Sequence, residues 1–211
     1  RSTLFPYTTL FRSRSPIKVL GYGNVRGIDL ERFSIREGIK ARLYDLCLKD
    51  CSKFTFLFVG RIVKDKGINE LCEAFDKLSG MTPVRLLLVG AYEDTLDPIS
   101  EKSRKIISKN KAIEAVGPKY GDDLLVYYAA ADCFVMPSYR EGFPNTVLEA
   151  GAMGLPSIVT DINGSREIIK QEENGIIVPS KNAEELYKAM LEMVENKPVR
   201  ERMSNNAREM I

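Results

Sequence analysis

Histidine is absent from all 211 residues. Its absence removes the Ser-His-Asp and Cys-His arrangements of nucleophilic catalysis and every metal site built on imidazole. Cysteine is scarce: Cys47, Cys51, Cys72 and Cys133 form no CxxC pair. Cys47 and Cys51 stand four apart, close enough to share a helix face, but without a second pair they do not make a zinc site. Thiols this scattered, mostly in apolar surroundings, are expected to be free and buried, as in a reducing compartment. Net charge is nearly absent too: 31 Lys and Arg against 29 Asp and Glu leave +2, far from the basic face of a nucleic-acid binder. No apolar run reaches the roughly 18 residues of a membrane span. With 44% hydrophobic and 28% charged residues, the expectation is an ordinary water-soluble globular chain of one domain.

Arg1–Ser13 reads unlike the rest. Thr-Leu-Phe occurs twice, and the segment has neither an acidic residue nor a helical period. It also lacks the apolar run and small-residue cleavage site of a signal peptide. It resembles translated sequencing-adapter sequence and is set aside as non-native, which implies that the natural chain continues upstream. At the other end, Val199–Ile211 spaces Arg200, Met203, Ala207 and Met210 as a helix would, and stops without a Gly, Asn or Pro signal. Truncation at both ends is the expectation.

From Pro16 onward, short apolar runs alternate with amphipathic stretches. The runs are Ile17–Leu20, Phe54–Val59, Val84–Val89, Ala112–Val116, Cys133–Met136, Ser157–Thr160 and Ile176–Val178. Continuous rather than alternating apolar runs indicate strands covered on both faces, the pattern of a parallel sheet. Between them Ile68–Leu78 lines up Ile68, Leu71, Cys72, Phe75 and Leu78 on one stripe, and Asp122–Ala130 and Glu184–Val194 have similar spacing. The fold class predicted is α/β, a doubly wound parallel sheet. Ligands in such folds sit beyond the carboxyl ends of the strands.

Two of those loops carry distinctive chemistry. Val59-Gly60-Arg61-Ile62-Val63-Lys64-Asp65-Lys66-Gly67 leads from a buried strand into a helix, so Arg61 and Lys66 can converge on an anion at that helix's N-terminus. Pro137–Ala150 contains Glu141-Gly142-Phe143-Pro144-Asn145-Thr146-Val147-Leu148-Glu149. Asn145 reads as an N-cap, opening a helix at about Thr146 with free N–H groups near Thr146 and Val147. Glu149 lies one turn inside, and its side chain leans back toward the helix mouth. Beside a phosphate each acid would cost about 4 kcal/mol at 4 Å and an effective dielectric near 20. The acids fit only if the phosphates lie between them, held by Arg61, Lys66 and the helix N-terminus, while the carboxylates accept from hydroxyls at either end. A nucleotide sugar has that layout. Gly21-Tyr22-Gly23-Asn24-Val25-Arg26-Gly27 hints at a dinucleotide site, but its spacing is GxGxxxG rather than GxGxxG, and no acid on a second strand follows.

With these segments, Gly21–Arg208 resembles the C-terminal, donor-binding half of GT-B glycosyltransferases, in particular the retaining group 1 (family 4-like) enzymes with an E-x7-E motif. Glu141 and Glu149 stand at that spacing. VGRIVKDKG, YYAAADCFVMPS, GLPSIVTDINGSREII and NGIIVPSKNAEELYKAM support the match, and GYGNVRGIDLERF resembles the family's lead-in beside the inter-domain hinge. The resemblance implies a hinge segment over 14–33 and a nucleotide-sugar-binding domain over 34–211. It implies Arg61 and Lys66 on the donor diphosphate and Glu149 on the ribose hydroxyls. Glu141 would hold the donor sugar, with Gly60, Gly142, Phe143, Asn145, Thr146 and Val147 completing the cradle and the base lying near Val116–Tyr120. The reaction implied is retaining transfer of a hexose from a UDP- or GDP-linked donor to a carbohydrate or lipid-linked sugar, in surface polysaccharide or glycolipid synthesis. No cofactor and no metal are implied, and Asp122-Asp123 reads as a helix start rather than a metal motif. The setting implied is cytoplasmic, with peripheral attachment at the inner membrane face as an option. The family's N-terminal acceptor domain has no counterpart in these residues, so the isolated chain is expected to bind nucleotide weakly and transfer sugar poorly. A non-catalytic nucleotide-sugar-binding module is the alternative; a sugar-nucleotide epimerase lacks the side chains it would need.

Overall fold

The computed structural model describes residues 27–45 and 52–211. The Arg1–Ser13 segment, the strand expected at Ile17–Leu20, the Gly21–Arg26 part of the glycine run, and Cys47 and Cys51 lie outside the described residues.

The most apolar run, Phe54–Val59 (β1), forms the centre of the sheet, with Phe56, Leu57 and Phe58 fully buried. Ile68–Ser79 (α2) follows, and its expected stripe is buried in full, with Phe75 edge-on to Phe56 at 6.4 Å between ring centres. Truncating Phe75 to alanine would cost roughly 3–5 kcal/mol. Val84–Val89 (β2), Glu101–Lys109 (α3) and Ile113–Gly117 (β3) build outward on one side. The chain then crosses back through Gly121–Ala130 (α4) to Cys133–Met136 (β4). It continues through Asn145–Ala152 (α5), Ser157–Thr160 (β5), Ser165–Ile168 (α6) and Gly175–Val178 (β6). Ala183–Glu195 (α7) and Lys197–Glu209 (α8) close the chain. A further helix, Glu37–Asp45 (α1), precedes β1.

The six strands run in the order β3-β2-β1-β4-β5-β6, and every pairing is parallel. This is the doubly wound, Rossmann-like sheet expected. The winding reverses between β1 and β4, where Phe56 pairs with Cys133 and Leu57 with Phe134. Loops leaving these two strands diverge to opposite faces, which opens the crevice where ligands bind in such sheets.

Two expected strands shift by a residue, to Ile113–Gly117 and Gly175–Val178. Three helices escape the periodicity. Glu37–Asp45 fully buries only Ile39, α3 fully buries only Ser103, and α6 has 4 residues. A helix lying on the rim carries too thin an apolar stripe to show a period. Cys72 and Cys133 are free and buried, as expected, and burial pushes the Cys72 thiol up to about 12 and that of Cys133 higher still. Asp122 and Asp123 do open a helix, in the first turn of α4.

Candidate functional site

The loops after β1 and β4 are stitched together across the switch point. The backbone amide of Tyr139 donates to the Asp65 carbonyl at 2.8 Å, and Arg140 Nε donates to the Asp65 carboxylate at 2.7 Å. The Tyr139 hydroxyl donates to the Glu70 carboxylate at 2.8 Å. Burial, then that bond, pushes the hydroxyl well up. Gly67 makes the approach possible: its φ of +70° suits glycine, and a Cβ there would overlap the Pro137 carbonyl. Gly164, with φ +80°, does the same against the Gly142 carbonyl, so the loop after β4 is closely approached near its start, at Pro137, and again at Gly142.

Lys66 ends a single 3-10 turn, Lys64–Lys66, immediately before α2. Its ammonium forms an ion pair with Glu141, and the two side chains are 23% and 14% exposed. Two of the four charged residues anticipated from the sequence are thus in direct contact at the switch point. Arg61 is not drawn into this pair. Its guanidinium meets Glu93, on the loop after β2, and is 64% exposed. The site as it stands is internally neutralised, each cation resting on an acid.

The helix mouth differs from expectation by one residue. Helix α5 begins at Asn145, not Thr146; Pro144 occupies the cap position, and no side chain caps it. The Pro144 ring presets its φ at −77°, and its carbonyl accepts from the Val147 amide at 3.1 Å. Asn145 is therefore drawn into the first turn. The Val147 amide is spent inside the helix, and within the described residues the amides of Asn145 and Thr146 are the open ones. These point the positive end of the helix dipole at an incoming anion.

Glu149 lies one turn further in. Its Oε2 accepts from the Tyr128 hydroxyl at 2.8 Å, across from α4. Burial pushes its carboxyl up from the ordinary value, opposed by the Tyr128 bond and by the positive charge of Arg32. Tyr128 is pushed well above its usual range by burial and by Glu149. Glu149 and Asn145 line a cleft of about 330 Å³ with Gly121 at the start of α4 and with Asp29 and Arg32 from the segment ahead of helix Glu37–Asp45. Of the Val116–Tyr120 stretch, Val116 and Gly117 end β3, and Tyr120, next to the cleft-lining Gly121, is 78% exposed.

Tyr128, Arg32 and Glu93 were not singled out from the sequence. Tyr128 and Glu93 come from elements distant in the chain and carry no local signal. Arg32 sits in GIDLERF, a segment whose resemblance to the hinge lead-in was the available clue. Among the described residues no group of three His, Cys, Asp or Glu side chains is placed to hold a metal ion, and no helix is long and apolar enough to cross a membrane.

The model of the glycosyl transferases group 1 family matches residues 48–210. The chain is 31% identical over 205 residues to the capsular polysaccharide biosynthesis glycosyltransferase CapM of Staphylococcus aureus, covering 97% of this chain and 53% of that protein. It is 27% identical over 201 residues to an Escherichia coli UDP-Gal:alpha-D-GlcNAc-diphosphoundecaprenol alpha-1,3-galactosyltransferase, covering 93% of this chain and 50% of that one. The chain thus spans about half the length of the curated relatives it matches. Anabaena HepE, solved in complex with UDP-glucose, superposes with a TM-score of 0.75 at 18% identity over 87% of this chain and 50% of that one, a likeness of fold. Sequence and fold agree, and the chain belongs to the glycosyl transferases group 1 family.

Proposed function

We propose that this chain is the donor-binding half of a retaining hexosyltransferase that takes its sugar from a nucleotide diphosphate, UDP- or GDP-linked. The observation carrying the reading is the Lys66–Glu141 ion pair at the switch point, set beside the open amides of Asn145 and Thr146. An ammonium next to a helix N-terminus suits a diphosphate. When the donor enters, Lys66 turns from Glu141 to phosphate oxygens, which frees Glu141 to accept from hydroxyls of the transferred sugar. Glu149 accepts from the ribose hydroxyls, and the base rests against Val116–Tyr120. Arg61 exchanges Glu93 for the outer phosphate, with the backbone of Gly60, Gly142 and Phe143 and the open amides of Asn145 and Thr146 completing the cradle. No resident cofactor enters the scheme.

In the reaction the bond from the anomeric carbon to the β-phosphate oxygen breaks, and the nucleoside diphosphate departs with the electron pair. The acceptor hydroxyl oxygen bonds to the anomeric carbon on the same face and passes its proton to the departing phosphate. What this chain supplies is charge stabilisation of that leaving group by Lys66, Arg61 and the α5 amides, acting in place before the charge develops. The acceptor, a carbohydrate or lipid-linked sugar, would be held by a second domain in the manner of a two-domain GT-B enzyme. Polysaccharide or glycolipid synthesis is the setting that the names of the relatives support, and a cytoplasmic place is part of the same proposal.

Calorimetric titration with UDP, GDP and ADP of wild type and Lys66→Ala tests the reading. Binding of one diphosphate that falls at least tenfold in Lys66→Ala supports it, by the 1.4 kcal/mol such a change represents. Unchanged binding sinks it and favours a module that does not grip phosphate here. Sugar transfer, read by the anomeric configuration of the product in NMR, is expected to be feeble with the chain alone and robust when a domain that holds the acceptor is supplied.

A further inference from the structure

Beyond the two acids and two cations discussed above, the cleft around Glu149 holds one more cation among the described residues: Arg32. It makes no ion pair among the described residues; its guanidinium rests 5.7 Å from the centre of the Phe33 ring. Its carrier, the turn Leu30–Ser34, is far from α5 in the chain but is tied to it by a single side chain. Arg208, in the last turn of α8, donates through Nη1 to the Phe33 carbonyl at 2.7 Å and through Nη2 to the Leu30 carbonyl at 2.7 Å. The same guanidinium donates to the carbonyl of Ala152, the last residue of α5. One planar fork therefore grips the backbone on both sides of Arg32 and the end of the helix that carries Glu149. Ion pairs between Arg36 and Asp122 (3.3 Å) and between Arg42 and Asp123 hold the following segment onto α4, the other wall of the cleft.

We propose that Arg32 is a positioning residue of the nucleotide-binding end of the cleft, set opposite Glu149 by the Arg208 clamp so that a largely buried carboxylate stays charged and able to accept hydroxyl hydrogens. The inference rests on the assignment of Glu149 to the ribose. Among the described residues three groups are set around Glu149: the Tyr128 hydroxyl from α4, Arg32 from the turn at residues 30–34, and Asp29 just ahead of it, which lines the same cleft. Tyr128 is neutral and can only donate one bond. Asp29 is committed to its own turn, accepting from the amides of Glu31 and Arg32 at 3.0 Å. Arg32 is thus the source of positive charge. Because the same turn belongs to the segment that resembles the inter-domain hinge, the charge state of Glu149 depends on how that segment is seated.

The decisive measurement needs no nucleotide. Carboxyl carbons of the glutamates are followed by NMR across pH, and Glu149 is identified by loss of its signal in Glu149→Gln. In Arg32→Gln the Glu149 midpoint is expected to move to higher pH, and Arg32→Lys is expected to restore it. Arg208→Gln, which frees the turn while keeping Arg32, is expected to move it in the same direction by less. An unchanged midpoint in Arg32→Gln overturns the proposal. Titration with UDP separates this from the parent reading. Arg32→Gln is expected to weaken UDP about two- to fivefold at mildly acidic pH, as befits an exposed charge, and less at pH 8, where Glu149 is ionised regardless. A Glu149→Gln variant that binds UDP as wild type does would sink the ribose assignment itself. Loss in Glu149→Gln with none in Arg32→Gln would sink only the role of Arg32.

Discussion

Glu141 and Glu149 belong to one short stretch of chain, yet they are kept in opposite ways. Glu141 sits on a loop, and its charge is answered directly by Lys66 from across the switch point. Glu149 sits on a helix, accepts from a neutral hydroxyl, feels the charge of Arg32 without an ion pair, and is left with a carboxyl raised by burial. The loop end of the site is held by backbone contact and charge, the helix end by packing. The difference follows from what each element offers. A loop has unspent backbone and can bring an ammonium to an acid, whereas a helix side chain must take whatever the neighbouring helix presents.

The comparison breaks most visibly at Gly67. Valine there would meet the Pro137 carbonyl and force a β-branched residue to positive φ, so Gly67→Val is expected to cost roughly 3 kcal/mol or more. Urea denaturation reads this, and a midpoint within error of wild type would show that the loop end does not depend on that close approach. Next in size is the ion pair. Lys66→Met strands a carboxylate that is 14% exposed and should lose about 1–3 kcal/mol, while Lys66→Met combined with Glu141→Gln should recover much of it. Additive losses in that double-mutant cycle would deny the coupling.

At the helix end the sign reverses. The raised carboxyl of Glu149 means the folded state holds its proton more tightly than the unfolded chain does. Stability contributed by the group is therefore present at acid pH and is lost as pH rises through the folded value. Glu149→Gln keeps an acceptor for Tyr128 and is expected to melt slightly higher than wild type at pH 7–8, the advantage fading toward pH 4 in thermal scans. It should bind UDP less well at the same time. A variant less stable at neutral pH would mean that Glu149 is not strained in place. The smallest effect belongs to Arg61. Its pair with Glu93 is exposed enough (64% for Arg61) that Arg61→Ala should change stability by less than about 0.5 kcal/mol, yet it should weaken UDP. Equal silence in both measurements would remove Arg61 from the site.

Much of the architecture could be read from residues in order. Strands at the sheet centre, such as Phe54–Val59 and Cys133–Met136, were legible because a strand covered on both faces must be apolar throughout. Helix α2 was legible because it buries a full stripe. Helices Glu37–Asp45 and α3 were not, because they touch the body along a line too narrow to impose a period. The cap expected at Asn145 falls one residue earlier, on Pro144, because the proline ring presets the turn and draws Asn145 into the helix.

In the site the division is similar. The spacing of Glu141 and Glu149, and of Arg61 and Lys66, was visible along the chain because the chemistry of each loop and helix start is local. That Lys66 would choose Glu141, that Arg61 would turn to Glu93, and that Arg208 would draw the turn at residues 30–34 onto α5 were decided by the fold. The physical reason is range. Burial pattern and turn chemistry act between near neighbours, so the order of residues records them. A charge pairs with whatever opposite charge the sheet order brings within a few ångströms, and that depends on strands that cross the molecule before they meet.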